Sequence, residues 1–128
     1  TGGNLMSDRA GFYVQPTVFD GVTQQMSLAR EEVFGPVLAV MPFDSDDEAI
    51  ALANDSEYGL GASLWTNDLG KAMNMVPRIE AGTVWVNTHV LIDPAMPFGG
   101  MKQSGMGREF SGGAVESFTE IKSVCIAH

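Results

Sequence analysis

A chain of 128 residues, 45% apolar and 18% charged, has the length of one domain and a composition that excludes an intrinsically disordered polypeptide. Seven basic residues against sixteen acidic ones leave a formal charge of −9, which argues against a phosphate-neutralising surface and against nucleic acid as a partner. No run approaches the ~18 consecutive apolar residues of a membrane span, so no membrane partner is expected.

The opening Thr1-Gly2-Gly3-Asn4 has neither a basic stretch nor an apolar run and does not read as a signal peptide. Without an initiator Met it reads as a start inside a longer sequence. A single cysteine, Cys125, excludes an internal disulfide and a Cys-rich zinc site, and suits a reducing, cytoplasmic setting. Residues 12–19 look extended, with Pro16 marking an edge or irregular strand. Val37-Leu38-Ala39-Val40-Met41 is a continuous apolar run of the kind a doubly covered strand shows. Ser45-Asp46-Asp47-Glu48 is a capping box whose acidic first turn suits the helix dipole, and the helix should run to about residue 54.

Residues 62–66 form the next strand, and Asn67 or Asp68 caps the following helix. Leu69, Ala72, Met73 and Val76 make one apolar stripe on that helix, and Pro77 ends it. Gly82 then leads into the strand Thr83-Val84-Trp85-Val86-Asn87. The stretch 37–87 thus reads β-α-β-α-β, which predicts an α/β class with parallel pairing. Residues 88–113 are mostly Gly-rich loop, 114–118 a short helix, and 121–126 a last strand without an evident partner. An open edge there is a hazard unless another part of the chain or another subunit covers it.

Three segments carry unusual residues at fixed spacing. In Glu31-Glu32-Val33-Phe34-Gly35-Pro36, an extended backbone would turn Glu32 and Phe34 to one site, the carboxylate for sugar hydroxyls and the ring for a flat heterocycle. The competing reading is a solvated acidic turn with Phe34 in the core. The second segment runs from Pro97 to Glu109 and holds Gly99, Gly100, Gly105 and Gly107. It fits neither phosphate-loop fingerprint, because Phe110 stands where a third spaced Gly is required, so a structural loop with special backbone angles competes with a binding loop. The third, Thr83 to His89, ends a strand in polar residues. Asn87 is there either a polar anchor for a ligand or a strand cap, and Val90, Leu91 and Ile92 beyond it suit an apolar wall. Cys125 reads as a buried or interface thiol, since no activating base is near it in sequence. His89 and Asp93 are too few for a metal site.

Together these segments resemble one family closely, the NAD(P)-dependent aldehyde dehydrogenases. The resemblance rests on Glu31 to Pro36, on Gly82 to Asn87, on the Pro97–Glu109 stretch with Lys102, Ser104 and Arg108 in place, and on Phe118-Thr119-Glu120-Ile121-Lys122, in matching order and separation. Gly11 to Phe19 resembles the segment ahead of the first motif. It covers only the C-terminal part of such an enzyme.

The resemblance implies an α/β fold, a mostly parallel open sheet with flanking helices, in which residues 1–118 are a partial catalytic domain and 119–128 an oligomerisation strand. It implies NAD or NADP as coenzyme of the complete enzyme. By the same resemblance Glu32 would bond the nicotinamide ribose, Phe34 would lie beside the nicotinamide, and Ile92 and Phe98 would line the aldehyde pocket. Glu109 would support proton transfer from behind the active site, Asn87 would be structural, and Glu120 would be structural with Arg108 as ionic partner. Family members usually carry Gly where Ser111 stands.

The nucleophilic cysteine and the glutamate base of the family belong to sequence ahead of Thr1, and Cys125 does not match the nucleophile's motif. The chain alone is therefore expected to be inactive. The complete enzyme would oxidise an aldehyde to the acid through a cysteine thiohemiacetal and thioester. The apolar stretch 87–96 is similar to loops in members that oxidise arylacetaldehydes, phenylacetaldehyde dehydrogenase among them, and leans toward an aryl or apolar aldehyde. Residues 119–128 imply a homo-oligomer. The alternative is a non-catalytic assembly or binding module that pairs through its C-terminal strand.

Overall fold

The computed structural model describes all residues from Thr1 to His128. The chain forms two compact units, Thr1–Ser56 and Glu57–His128.

In the first unit, an isolated antiparallel bridge joins Leu5 to Val14, and β1 (Thr17–Phe19) pairs in parallel with β2 (Val37–Ala39). Pro16 sits just ahead of β1, where its missing N–H costs no ladder bond. Between the strands lies a one-turn helix, α1 (Ser27–Arg30), that the sequence did not announce. The helix α2 (Asp46–Asn54) follows β2. Its capping box forms: the Glu48 N–H donates to Ser45 Oγ at 3.2 Å, and Glu48 Oε2 accepts from the Asp44 N–H at 2.7 Å. The returning carboxylate thus binds one residue ahead of the usual position. Ile50 and Val22 are the buried apolar side chains here, and Thr17 is buried beside β2.

The second unit opens with β3 (Tyr58–Gly59) and β4 (Gly61–Leu64), followed by α3 (Leu69–Met75), a 3-10 turn (Val76–Arg78), β5 (Thr83–Val86) and β6 (Met101–Lys102). Strands β4 and β5 are parallel, with Gly61 opposite Thr83 and Leu64 opposite Val86. Strands β3 and β6 are antiparallel. Asp68 caps α3 by accepting from the Lys71 N–H at 3.0 Å, and Pro77 falls in the turn that ends the helix. The class is α/β, as expected, but the open sheet is realised as separate two-stranded pairs, and β2 takes its hydrogen bonds from β1. The expected helix at 114–118 is a 3-10 segment, Gly112–Phe118.

Two expectations fail. The apolar stripe of α3 does not face one core: Ala72 and Met75 are buried, whereas Leu69 and Met73 are exposed on another side. The strand expected at 121–126 is absent, because a strand needs a hydrogen-bonding neighbour and none is offered; Ile121, Val124 and Ile126 are exposed. Cys125 is exposed in the single chain, so of its two readings the buried thiol does not hold.

Both failures belong to a larger feature. The accessible surface is 10087 Å², whereas two separate compact bodies of these sizes would together expose about 7,900 Å². No large side chain is fully buried. Large apolar side chains such as Phe12, Met106 and Ile121 are almost fully exposed. No helix is long and apolar enough to cross a membrane.

Candidate functional site

Glu32 and Phe34 lie in the connection between α1 and β2, in the first unit. The connection is anchored at its start by Arg30. That guanidinium donates to both carboxylate oxygens of Asp55, at 2.9 and 2.8 Å, and to the Gln24 carbonyl at 2.6 Å. The hydrogen bond to Asp55 raises the Arg30 pKa further above its ordinary value, so the clamp keeps its cation at any working pH. Beyond it, the Gly35 N–H donates to the Val33 carbonyl at 2.8 Å, a tight turn centred on Phe34. The chain bends at Gly35 and Pro36, beyond the Glu32–Phe34 stretch. Phe34 is 96% exposed, so the reading of this ring as core fails. Glu32 is exposed as well.

The other expected residues fall in the second unit. The loop from Pro97 to Glu109 closes on itself through Phe98 and Glu109. The Phe98 N–H donates to the Glu109 carbonyl at 2.9 Å, and the Glu109 N–H donates to the Phe98 carbonyl at 2.7 Å. Arg108 stitches the interior by donating to the carbonyls of Gly100 and Gly107, at 2.8 and 2.6 Å. Its expected pairing with Glu120 is not made, because these carbonyls take the guanidinium and the tail that carries Glu120 is not packed. Ser104 Oγ accepts from the Gly59 N–H at 2.9 Å and ties the loop to β3.

The glycines serve this close packing. A Cβ on Gly82 would strike the Gly99 carbonyl, and one on Gly99 would come within 2.6 Å of the Gly107 carbonyl. The loop is held in a folded shape by these close contacts.

Ile92 and Phe98 come together around one recess of about 10 Å³, shared with Trp85, Leu91 and Met96 and with the polar Thr83 and Asp93. The Phe98 ring leans on Phe110 at a centroid distance of 6.4 Å. On its other side Phe98 borders a hollow of about 410 Å³ that also includes Glu109, Met106 and Phe118. Phe98 thus borders both the narrow recess and the wider cleft that Glu109 also lines. Asn87 is a strand cap: its Oδ1 accepts from the Thr66 N–H at 2.9 Å, and its Nδ2 donates to the Thr66 carbonyl at 2.8 Å. One acceptor site and one donor of the amide are thereby used in closing the strand end.

The sequence reading missed two groups. Arg30 gave no motif signal, since its partner Asp55 is 25 residues away. Trp85 read only as a strand residue, yet its indole N–H donates to the Leu91 carbonyl at 2.8 Å. Ser111 adopts φ 56° and ψ 177°, a backbone region in which glycine is the ordinary occupant. No group of three or more His, Cys, Asp or Glu side chains is placed to hold a metal ion.

The aldehyde dehydrogenase family model matches residues 1–124. A betaine aldehyde dehydrogenase of Rhizobium johnstonii is 54% identical over 91% of the chain, and a putative aldehyde dehydrogenase, DhaS, of Bacillus subtilis is 50% identical over 98%. These alignments take in 24% and 25% of those proteins, so the chain spans about a quarter of the length of the curated relatives it matches. Among solved structures, an indole-3-acetaldehyde dehydrogenase of P. syringae in complex with NAD+ and IAA superposes with a TM-score of 0.91 at 49% identity, over 97% of this chain and 25% of its own. An aldehyde dehydrogenase of Mycobacterium tuberculosis complexed with NAD+ gives 0.88 at 47% identity, over 98% and 26%. Near-complete coverage at half identity, with the recess, the closed glycine loop and the strand cap all on motif residues, leads to one conclusion: the chain belongs to the aldehyde dehydrogenase family.

Proposed function

We propose that this chain supplies one wall of the aldehyde pocket and one clamp on the coenzyme of an NAD(P)-dependent aldehyde dehydrogenase. The observation that carries the reading is the gathering of Ile92 and Phe98 round one apolar recess, with Glu109 tied to Phe98 through the backbone. An apolar wall of this kind takes the organic part of an aldehyde and discriminates by shape. It favours an aryl or otherwise apolar aldehyde over a quaternary ammonium one, which calls for a cage of aromatic faces. Glu109 supports proton transfer from the edge of the wider cleft.

Glu32 and Phe34 fit a coenzyme. The carboxylate has no partner within the chain, so both oxygens are free to accept from vicinal ribose hydroxyls, and the bare phenyl ring beside the turn is free to lie against a flat heterocycle. The NAD+ complexes of the P. syringae and M. tuberculosis enzymes support NAD+ as the coenzyme of the complete enzyme. When bound, the nicotinamide accepts the hydride of the oxidation. The chain's own part is to orient: Glu32 fixes the ribose, and Phe98 and Ile92 hold the aldehyde. The reactive thiol and its base are not among these residues. Cys125, the one cysteine, stands exposed on the tail, outside both the recess and the cleft.

Residues 119–128 act as the strand through which subunits associate. Their exposed Ile121, Val124 and Ile126 support this, as does the lack of a strand partner within the chain.

The test of the coenzyme clamp is Glu32→Gln in a complete dehydrogenase carrying this segment. Single-turnover hydride transfer should slow by about ten- to hundredfold, with a larger deuterium isotope effect from the aldehyde hydrogen and little change in aldehyde affinity. Unaltered hydride transfer would remove Glu32 from the site.

A further inference from the structure

The loop that carries Ile92 leaves β5 under strain and is pinned at two points. Asn87 and Val90 both have a φ of 54°. Asn tolerates that left-handed backbone, but a β-branched residue resists it and needs its surroundings to hold it there. One pin precedes Val90: Ser63 Oγ on β4 and His89 Nδ1 lie 2.6 Å apart and share a hydrogen bond. The other follows it: the Trp85 indole N–H donates to the Leu91 carbonyl at 2.8 Å. Trp85 is itself held. It is buried, its ring lies so close to Gly61 that a Cβ there would approach within 2.7 Å, and His89 meets it edge-on at 5.8 Å.

From this geometry we infer that Trp85 is a specificity-positioning residue: its indole N–H holds the strained turn at Val90 and so sets where Ile92 stands against Phe98 in the aldehyde recess. The inference rests on the reading of that recess as the aldehyde wall. Trp85 borders the same recess from the strand side, so losing its N–H frees a carbonyl at the base of the wall and lets Val90 relax toward ordinary backbone angles. Ile92, one residue beyond Leu91, would move with it. A bulky aldehyde senses such a shift through its fit, whereas a short one does not reach the wall.

The experiment uses a complete dehydrogenase carrying this segment, with phenylacetaldehyde and propanal as the two probes. Trp85→Phe keeps an aromatic ring but removes the N–H together with part of the indole volume, so Ser63→Ala, which removes the other pin and leaves the indole in place, is read beside it. KM for phenylacetaldehyde should rise about three- to tenfold, and by about threefold or more beyond any rise in KM for propanal. Val90→Asn placed on top of Trp85→Phe accepts the left-handed backbone and should bring KM for phenylacetaldehyde back toward the parent value. Should Trp85→Phe not fold, Ser63→Ala removes the other pin and must show the same selective rise. Equal changes for both aldehydes, or none for either, would overturn the role of Trp85 while leaving the pocket reading intact. A parent enzyme that oxidises neither aldehyde with NAD(P)+ would instead overturn the pocket reading, and this inference with it.

Discussion

The glycine-rich loop from Pro97 to Glu109 and the tail from Thr119 to His128 follow each other closely in the chain and behave in opposite ways. The loop has little regular structure yet finds partners within the chain, through the paired bonds of Phe98 with Glu109, the two carbonyls taken by Arg108, and the bonds of β6 and Ser104 to β3. The tail has the more strand-like sequence yet forms no strand and exposes Ile121, Val124 and Ile126. Propensity therefore does not decide which segment is ordered by its own chain; the supply of partners for backbone N–H and C=O does. The loop finds its partners within itself and on β3. The tail finds none within the chain, and Leu69 and Met73 on α3 are likewise exposed.

The sharpest way to break the loop's side of this comparison is Gly82→Ala. The added methyl meets the Gly99 carbonyl, so the backbone must part, and we expect a loss of more than about 3 kcal/mol, read as a collapse in soluble yield and thermal midpoint. The tail's side is tested next. Removing residues 119–128 from a complete enzyme should leave the recess intact and lower the assembly state measured by light scattering. An unchanged assembly would assign the tail another role. The smallest effect concerns Ser111, which holds a glycine-type backbone. Ser111→Gly should stabilise by about 1 kcal/mol in chemical denaturation, and a neutral or destabilising result would mean that the Ser111 side chain compensates the strain.

Local features were legible in the sequence wherever one residue type answers a local need. Ser45 and Asp68 cap as their spacing predicts, Pro77 ends α3, and Thr83 to Val86 form a strand. The motif residues Ile92 and Phe98 do share one recess. What was not legible depends on distance along the chain or on surfaces the chain does not contain. The short strands β3 and β6 exist through each other, 42 residues apart, and neither carries a pattern of its own. The stripe on α3 was read as one face because periodicity records which residues are apolar, not how many neighbours will cover them. The clamp of Arg30 on Asp55 and the bond of Trp85 to Leu91 are pairings of ordinary residues that only folding brings together.

The central claim is that Phe98 faces the aldehyde. It is tested most directly by measuring KM for the aldehyde and for NAD(P)+ in Phe98→Ala of a complete dehydrogenase carrying this segment. The account predicts an aldehyde KM raised about tenfold or more with a coenzyme KM within about twofold of the parent. An aldehyde KM that does not move, in an enzyme that still turns over, would contradict it.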